Sequence, residues 1–320
     1  MLLDLFITHY NEPWEVGSKG FHMLACQRLI DWSQVRITLV HDGTKKFPKR
    51  YFKDYPFTVN QVVIPHGGIA AARNWCIEHS QATWIKWNDF DDTFYSAYSL
   101  YHIMNVLNND SYDLLWFNLL VEDQKGRNYL RTERNPVFIH DKVFRRQFLL
   151  NHHIMYNTEL IWCEDSAFLS IVEMEINHQR IGKIKTDVPI YLYICRDGSL
   201  CNRPEIRFAN LQSFFKRHCY VADEFLKRNL IDQYNTMCVR VMADSYYTLH
   251  KAPDIPDGKE KIAHEARVWK WFDEHKEPYH ACRPEMFDMV MEAVNRECFD
   301  GGVITKQEVT EWIDKHERGE

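Results

Sequence analysis

Short apolar runs alternate with segments of helical spacing over roughly the first two hundred residues, and this alternation constrains the fold more than any other feature. Apolar and β-branched runs predict strands at residues 2–8, 35–40, 57–64, 82–87 and 112–121. Apolar positions three and four apart predict helices at residues 16–30, 69–79 and 98–107. Strands that alternate with helices form a mostly parallel sheet covered on both faces, so the sequence predicts a three-layer α/β fold.

Polar residues follow four of these predicted strands, at the point where each strand ends. The clusters are Thr8, Tyr10, Asn11 and Glu12; Asp42, Gly43 and Thr44; His66, Gly67 and Gly68; and Asp89, Asp91 and Asp92. In open α/β sheets, ligands bind outside the carboxyl ends of the strands. The sequence therefore predicts that the four clusters share one edge of the sheet and form a ligand site there.

The chain changes character after about residue 203. Apolar residues at helical spacing run through residues 206–226 and 241–249, and a proline-bearing segment at 252–258 precedes further helical stretches. The last stretch begins with a capping-box pattern from Thr305 to Glu308. We therefore predict an α/β domain at residues 1–203 and an all-helical region at residues 204–320.

The composition excludes several classes of protein. With 45% hydrophobic and 26% charged residues, the chain is typical of a globular protein, and its formal charge of -6 argues against coating nucleic acid by charge alone. Nine cysteines without a C-x-x-C pair indicate reduced thiols and a cytoplasmic setting. No apolar stretch approaches the ~20 residues that a membrane span needs, and the N-terminus lacks the basic residues of a signal peptide.

The segment WNDFDD at residues 87–92 ends an apolar run in three aspartates within four positions. A solvated turn is one interpretation, because unpaired charges of one sign cannot be buried together. The other is a cation site. Asp89 and Asp91 form a D-x-D pattern, which places two carboxylates on one side of a turn. Such hard oxygen ligands suit Mg²⁺ or Mn²⁺ and leave room for a diphosphate on the metal.

Three further motifs each allow a structural and a functional interpretation. The run GGIAAARN at residues 67–74 suits close packing of a helix on the sheet, or anion binding at a helix N-terminus with Arg73 as a ligand contact. Glu164 and Asp165 suit the dipole at a helix start, or proton removal from an attacking hydroxyl. The segment RDGS at residues 196–199 is a plain turn, or a phosphate-contacting loop with Arg196 as charge partner.

The order of these motifs is more specific than any one of them. ITHYNE, HDGT, HGGIAAARN, IKWNDFDD, FIHDKVFRRQFL with WCEDSAF, and a strand into RDGS follow one another at plausible spacing. In this order the chain resembles the family 2 glycosyltransferases, which have the GT-A nucleotide-sugar fold. The resemblance covers about residues 2–203. It implies an inverting transfer of sugar from a nucleotide sugar, such as a UDP-sugar, to a hydroxyl, assisted by Mn²⁺ or Mg²⁺.

The resemblance also implies a role for each matching residue. Residues that would bind the nucleotide sugar are Thr8, Tyr10, Asn11, Glu12, Asp42, Gly68, Arg73, Asp89, Arg196 and Ser199. Among them, Asp42 would hydrogen-bond the base, and Arg196 and Ser199 would belong to a loop that closes over the diphosphate. Asp89 and Asp91 would hold the metal. Asp165 would be the catalytic base, with Glu164 beside it.

Two positions depart from the family pattern, and the acceptor stays open. His41 stands where another aspartate is common, and Asn88 stands where a hydrophobic residue usually precedes the D-x-D. The family favours a glycan or cell-surface polymer as acceptor, and a hydroxymethylated base in DNA is an alternative. A nucleotidyltransferase usually needs a glycine-rich, lysine-bearing loop after the first strand, which HYNEPWEVGSKG fits poorly. A degenerate, non-enzymatic binding module is disfavoured because every candidate catalytic position is filled.

Overall fold

The computed structural model describes residues 1–108, 111–122, 129–132, 138–179, 182–194, 207–252, 258–297 and 302–320. The chain divides into two compact units, Met1–Asn202 and Arg203–Glu320. Predicted site residues Arg196 and Ser199 lie outside the described residues. So do residues 253–257, which make up most of the predicted linker.

The first unit is built of strands and helices in alternation. Its strands are β1 (Leu3–His9), β2 (Val35–Asp42), β3 (Val59–Ile64), β4 (Trp84–Asp89), β5 (Thr93–Phe94), β6 (Leu114–Glu122), β7 (Tyr129–Thr132), β8 (Lys142–Arg145) and β9 (Lys183–Ile194). Its α-helices are α1 (Trp14–Ala25), α2 (Gly68–His79), α3 (Ser99–Leu107), α4 (Arg146–Asn151) and α5 (Glu164–Gln179). Short 3₁₀ turns occur at Trp32–Gln34 and Lys49–Tyr51.

All described strands belong to one sheet of order β3-β2-β1-β4-β8-β6-β9-β5, with β7 paired to β6. The β3-β2-β1-β4 half is parallel throughout, as the alternation of strands and helices predicts. Beyond β4 the pairing is mixed, because β8 runs antiparallel to both β4 and β6 while β9 runs parallel to β6. The strand β8 was not predicted, since four residues are too few to show a period.

Strand β1 is buried at all seven positions, which explains why it is a nearly continuous apolar run. Its one charged side chain, Asp4, is fully buried and fully paired. Arg36 on β2 donates two hydrogen bonds to the Asp4 carboxylate, at 2.6 and 2.5 Å, and Ser80 donates a third. Because a buried charge is tolerated only when it is paired in this way, Asp4 fixes β1 against its neighbours.

Helix α1 ends at Ala25, five residues before the end that the apolar spacing predicts. The segment after it is held by other contacts. Gln27 donates its side-chain N–H to the Ser96 carbonyl at 2.7 Å, and the Arg28 N–H donates to the Ala97 carbonyl at 2.8 Å. Leu29 then takes a left-handed conformation with φ 60°. These tertiary hydrogen bonds replace the helical ones, so Leu29 and Ile30 do not extend the helix.

The second unit is helical in all of its regular described elements. They are α6 (Arg207–Lys227), α7 (Ile231–His250), α8 (Lys259–His280), α9 (Pro284–Glu297) and α10 (Lys306–Arg318). The predicted capping box is confirmed: the Glu308 N–H donates to the Thr305 hydroxyl, and the Thr305 N–H donates to the Glu308 carboxylate. None of the described helices has the length and apolar character of a membrane span.

Candidate active site

The polar ends of β2, β1 and β4 lie side by side at one edge of the sheet. The parallel register pairs His9 with His41 and Thr8 with Asp89. The Thr8 hydroxyl donates a hydrogen bond of 3.2 Å to Asp89 Oδ1. The carboxyl ends of these strands therefore meet, as the sequence predicts, because adjacent parallel strands run in the same direction.

Arg73 lies at the centre of this edge and contacts three carboxylates. Its Nη2 donates to Asp89 Oδ1 at 3.3 Å, and its Nη1 donates to Glu164 Oε1 at 3.1 Å and also to Asp165 Oδ1. The side chain is buried, with an exposed fraction of 2%. Arg73 therefore joins the aspartate at the end of β4 to the two acidic residues that begin α5.

Burial and charge act in opposite directions on the protonation of this cluster. Burial alone would raise the pKa of Asp89, but the charges of His140 and Arg73 outweigh it and hold the pKa well below its usual range. Burial would lower the pKa of Arg73, but Asp165 and Asp89 raise it further. Burial raises the pKa of Asp165, and Glu164 and Asp89 add to the rise while Arg73 opposes it. Burial thus favours a proton on Asp165, whereas Asp89 is held in its ionised form.

Asn74 and Tyr156 hold α2 beside the start of α5. The Asn74 amide donates to the Tyr156 carbonyl at 2.9 Å and accepts from the Tyr156 N–H at 2.7 Å. The Tyr156 ring stacks on Phe168 of α5, with centroids 4.1 Å apart, and the Arg73 guanidinium lies 5.5 Å from the Tyr156 centroid. The two residues of the R-N pair therefore have different roles. Arg73 binds the carboxylates, and Asn74 holds the backbone of Tyr156, whose ring packs on α5.

The turn after β4 is fixed by contacts on both sides. Asp92 accepts hydrogen bonds of 2.9 Å from the Tyr191 hydroxyl and from the Ile194 N–H. On the α1 side, a methyl group at Gly20 would lie 2.5 Å from the Asp92 carbonyl oxygen, and one at Gly17 would collide with the Phe90 ring. Gly17 and Gly20 of EVGSKG lie within α1 and allow this helix to pack closely against the turn. Their role is therefore in packing and not in a phosphate-binding loop.

A group of possible cation ligands lies at this turn. Ligand atoms of Asp89, Asp92 and His140 lie within 4.8 Å of one another, and His140 Nε2 is 3.0 Å from Asp89 Oδ2. Carboxylate oxygens suit Mn²⁺ or Mg²⁺, so the two aspartates of the group fit such a cation. Of the predicted metal ligands Asp89 and Asp91, this group contains Asp89. His140, which precedes β8, lies in the quoted segment FIHDKVFRRQFL but was not predicted as a site residue.

Lys86 lies fully buried beneath this turn and was also not predicted as part of the site. Its ammonium donates to Asn88 Oδ1 at 2.7 Å, to the His140 carbonyl at 2.6 Å and to the Trp87 carbonyl at 3.2 Å. Burial lowers the pKa of Lys86 to about 7, although the charges of Asp141, Asp89 and Asp92 oppose this. Asn88, the departure from the family pattern, thus has a specific partner in this lysine.

The turn after β1 places Tyr10 at the surface. Asn11 takes a left-handed conformation with φ 60°, and the Tyr10 N–H donates to the Glu12 carboxylate at 2.8 Å. Asn11 and Glu12 therefore shape this turn, while the Tyr10 ring stays exposed. The structure brings Thr8, Arg73, Asp89, Glu164 and Asp165 into one contact network, whereas Asn11 and Glu12 hold a turn beside it.

Asp42, at the end of β2, is buried and accepts hydrogen bonds from the loop before α2. Its carboxylate accepts from the Gly67 N–H at 2.8 Å, from the Gly68 N–H at 2.9 Å and from His66 Nδ1 at 2.9 Å. Gly68 has φ +82°, which favours glycine there. Asp42 therefore positions the first residue of α2, whatever else it binds.

His41 is fully buried in a hydrogen-bonded row behind the strand ends. Its Nδ1 lies 2.9 Å from His9 Nδ1, and its Nε2 lies 3.0 Å from Gln61 Oε1. Both ring nitrogens thus have protein partners. Burial lowers the pKa of His41 to about 4, against an ordinary value of 6.5. The histidine that departs from the family pattern is accounted for by this buried row.

The depressed pKa of His41 predicts that acid destabilises the fold. Between pH 6.5 and about pH 4, His41 is protonated in the unfolded chain but stays neutral in the folded chain. Stability is therefore lost as the pH falls through that window, by up to about 3 kcal/mol from this group. Urea unfolding of wild type and His41→Gln at pH 7.5, 6.5, 5.5 and 4.5 measures the loss. A slope that is equally steep in both proteins would contradict the assignment.

Comparisons with known proteins identify the fold and the family. A profile of the family described as "Glycosyl transferase family 2" matches residues 4–165, and no curated protein matches the chain by sequence. Among solved structures, S. aureus TarS 1-349 in complex with UDP-GlcNAc has a TM-score of 0.63 at 15% identity, over 92% of this chain and 86% of that one. The mannosyltransferase PcManGT from Pyrobaculum calidifontis, in complex with GDP-Man and Mn2+, has a TM-score of 0.52 at 10% identity, over 93% and 81%.

The fold and the site define the chain as a glycosyltransferase with the GT-A fold. It belongs to glycosyltransferase family 2, because the family profile matches half of its length. The predictions of this family and of a GT-A fold with a C-terminal helical region are confirmed. Since the first unit ends at Asn202, the 92% coverage by TarS also extends into the helical unit.

Proposed function

We propose that the chain is an inverting, metal-dependent glycosyltransferase that moves a sugar from a UDP-sugar to a hydroxyl of a glycan or cell-surface polymer. The observation that carries this proposal is the Arg73 cluster. One guanidinium contacts both Asp89, at the predicted metal and diphosphate position, and Asp165, at the predicted base position. A base and a diphosphate site that share one buried arginine can act on the two ends of a single displacement.

The proposed step is a single displacement at the anomeric carbon. The acceptor oxygen forms a bond to that carbon as Asp165 takes the hydroxyl proton, and the bond to the diphosphate oxygen breaks with its electrons leaving on UDP. One displacement inverts the anomeric centre. Burial, which raises the pKa of Asp165, makes its carboxylate a better proton acceptor. A bound cation would neutralise charge on the departing diphosphate, as a Lewis acid.

The choice of UDP is supported by two features. Two TarS structures contain UDP-GlcNAc or UDP, although PcManGT contains GDP-Man, so the fold alone does not select the base. In this chain the predicted base contact, Asp42, and the exposed Tyr10 ring both contact His66, and a carboxylate can accept the single N–H of uracil. The cytoplasmic setting stays a prediction from the cysteine pattern.

A thermal-shift screen tests the proposed ligands directly. We expect UDP-sugars to raise the melting temperature more with Mn²⁺ than without it, because a ligand at a hundred times its Kd stabilises by about 2.7 kcal/mol. GDP-sugars and ATP serve as matched controls. The absence of any metal-dependent shift with a nucleotide sugar would overturn the proposed function, and a larger shift with GDP-sugars would overturn only the choice of UDP.

The metal ligands are tested by a pair of substitutions. We expect Asp91→Asn to weaken Mn²⁺ binding in the presence of UDP by at least about tenfold, since each lost charge–charge contact costs on the order of 1.4 kcal/mol or more. His140→Gln should cost less, because we assign His140 to orienting Asp89. Titration of Mn²⁺ followed by electron paramagnetic resonance gives both affinities. If His140→Gln weakened Mn²⁺ binding more than Asp91→Asn did, the cation would instead be assigned to Asp89, Asp92 and His140.

The acceptor class is tested by transfer of radiolabelled sugar. We expect label to appear on glycan or cell-wall polymer fractions and not on duplex DNA that carries hydroxymethylcytosine. The anomeric configuration of the product, read by nuclear magnetic resonance, tests inversion. Label on the DNA substrate, with binding that weakens as salt rises, would replace the polymer acceptor by nucleic acid. A product with retained configuration would overturn the single displacement.

A further inference from the structure

An exposed aromatic ring and a buried carboxylate lie together at the end of β1 and β2. Tyr10 is 47% exposed, and Asp42 is 4% exposed. A flat ring beside a hydrogen-bond acceptor is a suitable surface for a nucleobase, because every base offers one face for stacking and a polar edge. If the chain binds a UDP-sugar as proposed, this is where the uracil would lie.

His66 covers both groups in the structure. Its ring stacks on Tyr10 with the centroids 4.5 Å apart and the planes inclined by 13°. Its Nδ1 lies 2.9 Å from Asp42 Oδ2. A single side chain therefore makes the stacking contact and the hydrogen bond that a base would need, while 56% of that side chain remains exposed to solvent.

A base cannot enter between the two rings as they stand. Aromatic carbons in contact lie about 3.5 Å apart, so a base between two rings requires about 7 Å. The ring centroids of Tyr10 and His66 are 4.5 Å apart, so a base does not fit between the two rings. Stacking on this face of Tyr10 therefore requires His66 to move away.

The backbone of His66 is fixed, so the movement belongs to the side chain. The next two residues, Gly67 and Gly68, donate their N–H groups to Asp42. On the other side the loop presses against Gly43, where a Cβ would lie 2.6 Å from His66 Cβ and 3.2 Å from its Cα. Gly43 also has φ +71°, which favours glycine. Rotation of the exposed imidazole clears Tyr10 without disturbing these contacts.

We propose that His66 sets the affinity and selectivity of the nucleobase subsite, by covering Tyr10 and Asp42 until a base displaces it. This inference rests on the proposed function, because it requires a nucleotide in the site. The imidazole competes with the base for the same ring face and the same carboxylate. A base that stacks on this face of Tyr10 and bonds Asp42 must therefore replace the stack and the hydrogen bond of His66, and a ligand that stacks or bonds poorly fails to do so.

The test is the affinity of His66→Ala for UDP and uridine, measured by isothermal titration calorimetry. We expect both ligands to bind about tenfold more tightly than to wild type, since an aromatic pair and a hydrogen bond no longer have to be replaced. Pyrophosphate with Mn²⁺, which has no base, should bind with unchanged affinity. His66→Asn keeps a hydrogen-bond donor but has no ring, and should show most of the same gain if the stack is the main obstacle.

His79→Ala is the matched control. His79 stacks on Trp75 in the same unit, with centroids 4.3 Å apart and planes inclined by 12°, but it lies at the far end of α2. We expect this substitution to leave UDP binding unchanged. Equal or weaker binding of UDP to His66→Ala would overturn the inference, because His66 would then be neutral or part of the base-binding surface. If wild type bound no nucleotide, both the proposed function and this inference would be overturned.

Discussion

Asp165→Asn is expected to reduce sugar transfer by at least about 10²- to 10⁴-fold, which is the usual contribution of a positioned general base. The amide has the shape of the carboxylate and can still accept a hydrogen bond from Arg73, but it cannot take the hydroxyl proton. We therefore expect the fold and the binding of UDP to survive. Single-turnover transfer measures the loss, and circular dichroism with UDP titration checks the rest.

Glu164→Gln is the matched control for this substitution. Glu164 precedes Asp165 in the first turn of α5, and both carboxylates accept a hydrogen bond from Arg73 Nη1. The two substitutions therefore remove the same charge from the same guanidinium, and only Asp165 is assigned as the base. We expect it to cost much less activity. Near-full turnover of Asp165→Asn, or a larger loss with Glu164→Gln, would show that the base is assigned to the wrong residue.

The pH dependence of transfer gives a second check on Asp165. The base acts only after losing its proton, so activity should rise with pH through its pKa. Because burial raises that pKa, the rise is expected well above the ordinary aspartate value of 3.8. The acid limb of kcat/KM against pH measures it, and an acid limb at or below that value would contradict the assignment.

Arg73→Met is expected to cost about 3 kcal/mol of unfolding free energy, as is usual when one partner of a buried ion pair is removed. Methionine keeps the unbranched apolar part of the side chain, but Asp89, Glu164 and Asp165 then lose the cation between them. Transfer should also fall steeply, because repulsion separates the base from the diphosphate site. Urea unfolding and transfer assays measure the two effects.

A double-mutant cycle separates the ion pair from general disruption. If the cost of Arg73→Met arises from unpaired carboxylates, Asp165→Asn in the same chain should recover part of it, by more than about 0.5 kcal/mol beyond additivity. Arg73→Lys keeps the charge but lacks the planar fork, so we expect an intermediate loss. Strict additivity of the two substitutions would contradict a direct coupling between Arg73 and Asp165.

The strand-end part of the candidate site could be predicted from the sequence, because Thr8 and Asp89 lie at the ends of strands whose direction the βα alternation fixes. The parallel register that pairs Thr8 with Asp89 and His9 with His41 follows from that direction. The role of Arg73 could not be predicted in the same way. The motif marks it as a ligand contact, whereas its partners Glu164 and Asp165 lie more than ninety positions further along the chain.

Two residues inside the quoted motifs, Lys86 and His140, were not assigned to the site for a related reason. His140 reaches Asp89 because β8 runs antiparallel beside β4, and a four-residue strand has no period that a sequence can show. Lys86 occupies an inward position on β4, where a lysine is rare, and its partners Asn88 and the His140 carbonyl become visible only in the folded chain.

The sequence by itself determined the fold family, the sheet edge that carries the site, and the identity of its motif residues. The alternation of strands and helices encodes the sheet edge, because periodicity arises from local backbone geometry, whereas the order of the motifs carries the resemblance to the family. Only the tertiary structure decided that Arg73 joins Asp89 to Glu164 and Asp165, that His41 hydrogen-bonds His9 and Gln61 in the interior, and that His66 covers Tyr10. Those contacts join residues distant in sequence, and their energies depend on burial and charge that exist only once the sheet and its helices have packed together.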